Sequence, residues 1–375
     1  MSSEVYFSNL RARGVNQNKV TKIRKLFDKA NIKDILSNGD LTALKIHFGE
    51  LGGDGYINPV FIRQVVDKVK EAKANPFLTD TNTLYTGSRS NAVDHLNTAV
   101  MHGFVSGVVD APVIIADGLK GENVRDIKID KKHFKETKIA GSIVDADSMI
   151  VLSHFKGHEM AGFGGAIKNL AMGCANPEGK RDQHSPRPTV NKDKCIGCKE
   201  CIGVCPKSAI SIEEKKSYID KAKCIGCGEC MTVCPVKAIE MNTKEESLIF
   251  IEKLTEYAYG AVKNKENKVF YINFVINVTP DCDCVPWSDA PIIPDIGILA
   301  SKDPVALDKA CYDLVNKSIA LNNNFLRDRN KKESNCTCEG EDKFKLMRNN
   351  TFGEIQLSYG EEIGLGKREY KLIEI

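Results

Sequence analysis

Eight cysteines in the middle of the chain repeat one pattern. Cys195, Cys198, Cys201 and Cys205 follow C-x2-C-x2-C-x3-C with Pro206 next, and Cys224, Cys227, Cys230, Cys234 and Pro235 repeat it 29 residues on. A cubane iron–sulfur cluster needs four thiolates converging on four iron corners. This spacing supplies three from one tight loop and the fourth from the other copy. It therefore predicts two [4Fe–4S] clusters, one on Cys195, Cys198, Cys201 and Cys234 and the other on Cys224, Cys227, Cys230 and Cys205. The proline after each fourth cysteine ends the loop and turns the chain back towards its twin. Structural zinc usually spaces two cysteine pairs apart rather than compressing four thiolates into 11 residues. Disulfides need an oxidising compartment.

A second group of reactive types lies outside the repeat. Ser153-His154-Phe155-Lys156-Gly157-His158-Glu159 closes an apolar strand, and Gly162, Gly164 and Gly165 then lead into a helix bearing Lys168 and Asn169. In an open α/β sheet, ligands sit at the carboxyl ends of strands, where glycines let backbone approach an anion and lysines supply charge. Neither the P-loop nor the dinucleotide spacing is present, so no nucleotide is implied. His154 and His158 taken singly read as satisfied structural histidines. Asp281-Cys282-Asp283-Cys284 follows a long apolar strand; thiols spaced C-x-C on an extended segment face the same side and can chelate a metal or form a redox pair. Trp287 follows and could line a pocket. Weaker candidates are Ser88 and Arg89, which bind an anion or, more simply, belong to a helix cap at Ser90, and His47 and Glu50, which face the mouth near His154. Cys336 and Cys338 lie in a polar segment read as mobile, and Cys174 and Cys311 sit on helical faces.

Bulk properties narrow the function class. The 375 residues suffice for two or three domains, with 42% hydrophobic and 27% charged residues as in ordinary globular proteins. A net charge of +3 with no interleaved basic and aromatic stripe argues against nucleic acid or a membrane surface as partner. No stretch has the apolar length of a membrane span. The first residues lack the apolar core of a signal peptide, so the 14 cysteines are expected in a reducing cytoplasm, where thiols serve metals.

The elements that must position these groups alternate between strand and helix. Helical periodicity covers 17–37, a strand 41–48, a helix from Asn58-Pro59 to about Lys73, a strand 76–80, and a helix from Ser90 to Phe104. Strands follow at 112–116 and 148–154, and a helix at 165–175. Beyond the repeat come a helix at 247–263, strands at 269–278 and 296–300, a helix from Asp303-Pro304 to about Ala320, and a last strand at 368–375. Such alternation predicts a mainly parallel α/β sheet with helices on both faces. Composition shifts at 185–192 and 243–247 mark the repeat as an insert. The host is therefore 1–189 with 243–375, and 190–242 is a small α+β two-cluster ferredoxin-like domain.

The host stretches resemble domain-of-unknown-function family 362, whose members are labelled uncharacterised Fe–S centre proteins. The resemblance runs through LKIHFGE (44–50), FLTDTNTLYTGSRSNAVDH (77–95), APVIIADGL (111–119), VLSHFKGHEMAGFGGAIKNLAMGC (151–174), the ferredoxin run, TPDCDC (279–284), SDAPIIPDIGILASKDPVALD (288–308) and EEIGLGKREY (361–370). It implies an α/β host carrying a two-cluster insert, and it places His154, Lys156, His158, Lys168, Asn169, Cys282 and Cys284 in signature stretches. The resulting expectation is an iron–sulfur oxidoreductase. Electrons from a redox protein partner pass through two clusters to a small-molecule substrate, a flavin or an additional metal in the host. The alternatives are a non-catalytic redox adaptor and a metal-handling protein using Cys282 and Cys284.

Overall fold

Apolar residues that alternate sides along a strand need a core on each side of the sheet, and the central strands do this. The computed structural model describes residues 2–184, 187–240, 244–329 and 338–375. Eight strands form the main sheet: β1 (Ser3–Asn9), β2 (Leu41–Lys45), β3 (Asn75–Asp80), β4 (Val113–Ile115), β5 (Ser148–His154), β6 (Val269–Val275), β7 (Gly297–Ser301) and β8 (Tyr370–Glu374). Their order is β8-β1-β7-β6-β5-β2-β3-β4. On β5, Met149 and Val151 enter one core while Ile150 and Leu152 enter the other; on β6, Val269 and Tyr271 oppose Phe270 and Ile272.

Helices cover both faces. Helices α1 (Lys19–Lys29), α2 (Pro59–Glu71) and α3 (Ala92–Met101) pack on the side of Ile150. Helices α4 (Ala166–Cys174), α5 (Lys244–Val262) and α6 (Pro304–Lys317) pack on the side of Val151. The expected α/β architecture is therefore present, with parallel pairing from β6 through β5, β2 and β3 to β4. One exception was not legible: β7 runs antiparallel between β1 and β6, because a short apolar strand carries no mark of its direction.

Several boundaries differ from the periodicity for local reasons. The helix expected over 17–37 breaks at Asn31, whose φ of +53° is left-handed, leaving α1 and a single 3-10 turn at Ile32–Ile35. Helix α3 is capped by Asn91, whose side chain accepts from the amides of Val93 and Asp94, both at 3.1 Å, so Ser90 is not the cap. Strand β2 stops at Lys45. Neither β1 nor the helix Glu354–Glu362 was anticipated.

Between β5 and β6 the chain leaves the sheet through the cysteine repeat. Thr189–Val190 pairs antiparallel with Ile239–Glu240, and Ile210–Glu213 forms a hairpin with Lys216–Ile219. The two copies share their backbone as well as their sequence. Left-handed φ values recur at Gly197 and Gly226, at Lys199 and Gly228, and at Ser208 and Lys237. Ser185, Pro186 and residues 241–243, where linkers were expected, lie outside the described residues, as does Cys336. Cys338 is buried rather than part of an exposed mobile stretch, and its carbonyl accepts from Lys343 Nζ at 2.7 Å.

Asp303 ties three parts of this frame together. One carboxylate oxygen caps α6 through the amides of Val305 and Ala306, at 2.9 and 3.0 Å, and the other accepts from Ser3 Oγ at 2.7 Å and Lys367 N at 2.8 Å. Asp303→Ala removes the cap and both tethers, and a loss of about 2 kcal/mol is expected in equilibrium denaturation. Asp303→Asn, which keeps an acceptor for the cap, is expected to lose less.

Candidate functional site

The carboxyl ends of four adjacent parallel strands (β6, β5, β2 and β3) converge at the middle of the sheet, and the chemistry-bearing residues sit there. Such a position is where open α/β sheets bind ligands. Its foundation is a buried charge cluster. Lys45, at the end of β2, is fully buried and places Nζ 3.0 Å from Asp80 Oδ1 at the end of β3. Arg89 is buried beside it, with Nη1 3.6 Å from Asp80 Oδ2 and Nε 3.0 Å from Glu50 Oε2. Burial raises the cost of charge on Asp80, yet Lys45, His47, His95 and Arg89 around it hold its carboxyl well below the usual carboxylate range. Arg89 also donates to Tyr85 Oη at 2.6 Å and lies 3.2 Å from His47 Nε2. Ser88 gives its amide to Glu50, and its hydroxyl accepts from Leu51 N at 3.2 Å. Ser88 and Arg89 thus belong to an internal network and do not cap a helix.

A second layer fixes the Cys-x-Cys turn. Asp283 is buried between His154 Nδ1 at 2.9 Å and Lys156 Nζ at 2.9 Å. Burial opposes its ionisation, but His154 and Lys156 overcome that and keep it ionised. The other nitrogen of His154 faces the carbonyls of Ile276 and Asn277, at 3.0 and 2.9 Å. Both nitrogens of His154 are thus engaged within the protein, which leaves neither free for a substrate or a metal, and it acts as a positioning residue. Backbone contacts tighten the same turn: Glu50 N donates to Asp283 O at 2.9 Å and Gly157 N to Thr279 O at 2.8 Å. A Cβ on Gly157 would collide with the Pro280 carbonyl, so glycine is required there for close approach.

Above Asp283 lie the reactive groups. Ligand atoms of His158, Cys282 and Cys284 all fall within 4.8 Å of one another, a spacing one ion could bridge. Lys168 Nζ is 3.5 Å from Cys282 Sγ. A hydrogen bond from Cys284, then Lys168, Lys156 and a bond from His158, outweigh burial and hold the Cys282 thiol well below its ordinary range. The same bond and burial push Cys284 up, so the pair shares one proton. His158 Nδ1 accepts from the amides of Met160 and Ala161, at 3.1 and 3.0 Å.

The remaining sequence candidates are structural or supporting. Asn169 accepts from Lys45 Nζ at 2.6 Å and donates to Leu152 O and Ser153 Oγ, both at 3.0 Å. Gly162, with φ +79°, closes a hairpin of Lys156–His158 with Gly162–Gly164 where a loop was expected. Gly165 abuts Asp308, which accepts from the first amides of α4, Ala166 N at 2.8 Å and Ile167 N at 2.9 Å. Gly164 and Gly165 border a void, which they share with Lys156, Lys168 and Asn169. Trp287 is 37% exposed and lines none of these cavities.

Where host and repeat meet, a cavity of about 80 Å³ is lined by Arg89, His158, Lys168 and Cys284 from the host and by Cys227 and Glu229 from the second cysteine loop. Small-molecule pockets typically run to roughly 300–1,000 Å³, and this one falls below that range. Burial, reinforced by Glu159 and Glu50, pushes Glu229 up to about 8. Lys180 lines the same cavity, and burial brings it down to about 8. Sequence reasoning passed over Lys45, Lys180 and Glu229. For Lys45 a signal existed, because a lysine inside an apolar strand demands a buried counter-charge.

Among the repeat cysteines, Cys205, Cys224, Cys227 and Cys230 border one small cavity; Cys227 lies in the field of Cys205, and Cys230 in the field of both Cys201 and Cys205. Cys234 and Cys198 act likewise on Cys201. Equivalent amides reach equivalent sulfurs: Ala209 N to Cys205 Sγ and Ala238 N to Cys234 Sγ, each at 3.2 Å. No described cysteine is in a disulfide. Four converging thiols without a mutual bond, served by backbone donors, fit a cubane. The two loops differ in access. Cys198 is exposed, whereas Gly228 of the second loop packs so closely on the host that a Cβ there would meet Met160 Sδ at 2.8 Å.

A profile of the domain of unknown function DUF362 matches residues 42–313. No protein of curated function matches by sequence. Among solved structures, the lactate racemase apoprotein from Thermoanaerobacterium thermosaccharolyticum aligns at TM-score 0.37 and 12% identity, over 72% of this chain and 50% of that one. A protein from Thermotoga maritima aligns at TM-score 0.39 and 12% identity, over 80% and 60%. The chain thus spans half to three fifths of their length, and likeness at this level says nothing of reaction or substrate. No helix among the described residues is long and apolar enough to cross a membrane.

Two stability predictions follow from the buried charges. Asp80→Asn leaves Lys45 and Arg89 buried without their shared counter-charge, and a loss of about 3–5 kcal/mol is expected by chemical denaturation. His95 and His184 are held neutral, each brought down by burial from 6.5 to about 3. The unfolded chain therefore takes up protons at pH values where the folded chain does not. The stability that these two neutral histidines contribute is fully present above pH 6.5 and is lost as the pH falls towards 3. Between pH 6.5 and about 5, before ordinary carboxylates titrate, the urea midpoint of the wild type is expected to fall relative to that of His184→Phe.

Proposed function

The chain belongs to the DUF362 family, and on that footing we propose that it is an iron–sulfur electron-transfer protein, an oxidoreductase passing electrons through two [4Fe–4S] clusters to a site in the α/β host. Cys195, Cys198, Cys201 and Cys234 would hold one cluster, and Cys224, Cys227, Cys230 and Cys205 the other. When bound, cubanes supply electrons one at a time. The observation that carries the reading is the shared cavity: Cys227 of the second loop and Cys284, His158 and Lys168 of the host line the same small space. A sulfur ligand and a host acceptor site are thereby brought within one enclosure.

The chain's own residues give this arrangement a direction. The exposed Cys198 offers the face on which a redox protein partner docks. The second loop is sealed against the host at Met160. Arg89, kept charged by Tyr85, Glu50 and Asp80 in spite of burial, and Lys168 beside Cys282 hold positive charge at the host end. That charge favours arrival of electrons and of anionic groups. The cysteine content is in keeping with a reducing cytoplasm, and the substrate would be a small molecule.

Oxygen-free purification is expected to yield brown protein with about eight irons and eight sulfides per chain. Reduction with dithionite is expected to bleach the visible band and produce paramagnetic signals from two interacting centres. Cys227→Ser and Cys198→Ser should each lose about half of the iron. Colourless protein, or zinc in place of iron and sulfide, would exclude the proposal.

A further inference from the structure

We propose that Cys282 and Cys284 form a redox-active dithiol that cycles with its disulfide at the host end of the cavity. The inference rests on the function proposed above, and it names the acceptor that two one-electron carriers would serve. Two electrons are what a disulfide consumes.

The geometry is that of a pair built to close. The turn is clamped at its middle residue, since Asp283 is held by His154 and Lys156 and its carbonyl accepts from Glu50 N at 2.9 Å. The segment is a turn rather than the extended run expected, closed by Val285 N donating to Cys282 O at 3.1 Å, and the flanking sulfurs lie within 4.8 Å of each other and of His158. Lys168 Nζ, 3.5 Å from Cys282 Sγ, is placed to hold a thiolate there. Cys282 is buried, while Cys284 is half-buried and lines the cavity with Cys227. Cys284 is thus the member that a proton or a substrate reaches.

The same three residues could be taken for a metal site, but the tautomer of His158 opposes it. Its Nδ1 already accepts two backbone amides, so the ring hydrogen resides on Nε2. To ligate through Nε2 the ring would have to shed that hydrogen, and the Nδ1 lone pair that could receive it is already taken by the two amides. Retained, the hydrogen points a donor at a thiolate.

The step balances as follows. In the reduced pair Cys282 is a thiolate and Cys284 a thiol. Oxidation forms the Sγ–Sγ bond as a disulfide substrate that reaches Cys284 takes the two electrons and is cleaved to a thiol, which receives the Cys284 proton, and a thiolate. Reduction breaks that bond, takes two electrons as two single equivalents from the iron–sulfur donors, and returns one proton to Cys284 and the negative charge to Cys282 beside Lys168.

The test uses the full-length protein, purified without oxygen and equilibrated in dithiothreitol buffers of graded ratio. Each sample is acid-quenched, alkylated and digested, and the peptide holding both cysteines is weighed, with iron and sulfide counted on the same material. A single transition is expected between a doubly alkylated peptide and an unalkylated one lighter by two hydrogens. Cys282→Ser or Cys284→Ser should abolish it. Lys168→Met, which removes the cation from the thiolate, should shift the balance about tenfold towards the disulfide, with Lys168→Arg closer to wild type. Two outcomes overturn the inference. One is a peptide alkylated twice at every ratio; the other is a wild-type protein that carries a metal beyond its iron–sulfur content and loses it in Cys284→Ser. Normal iron and sulfide with either outcome would leave the electron-transfer reading standing. A dithiol transition in protein without iron would do the reverse.

Discussion

Asp80 holds the arrangement together. Two cations, Lys45 and Arg89, are buried at the carboxyl edge of the sheet, and this carboxylate is the counter-charge they share. A buried ion pair adds little net stability, because desolvation consumes most of the Coulomb energy; removing one partner is what costs. The cluster is therefore best understood as a device for fixing geometry. Glu50 continues it from Arg89 to Asp283, through a side-chain contact at one end and a backbone amide at the other. The charge under β2 and β3 and the thiols after β6 thus belong to one connected set.

Two loops distant in sequence are made inseparable by the smallest residue. Gly157 lies against the Pro280 carbonyl, and its amide bonds Thr279 O. The hairpin carrying His158 and the turn carrying Cys282 and Cys284 consequently move as one body, which is what a reactive group needs if its donors are to stay within reach.

The sequence made the main sheet legible because its strands are short apolar runs between capped helices. Asn58-Pro59 and Asp303-Pro304 mark helix starts that form where expected. What escaped was direction and partner choice. Nothing in Gly297–Ser301 says that it runs against β6, since both faces are apolar whichever way it lies. Site residues were legible as types and opaque as roles. His154 looked like a candidate catalyst and proves to be the clamp on Asp283, because only the fold reveals that both ring nitrogens face acceptors. Arg89 read as an anion binder or, more simply, as part of a helix cap and is instead sealed inside, as the separation of 39 residues between it and Glu50 conceals their contact.

Burial of this ionic set has an effect on how the molecule responds to its medium. Mobile ions act only where water can follow, and Lys45, Asp80, Arg89 and Glu50 have side-chain exposures of 5% or less. The field they cast on the sulfurs is therefore nearly the same in dilute buffer and in concentrated brine, whereas attraction between partners at an exposed edge such as Cys198 fades within a Debye length of about 8–10 Å. Ionic strength can weaken the encounter and leave the interior potential untouched.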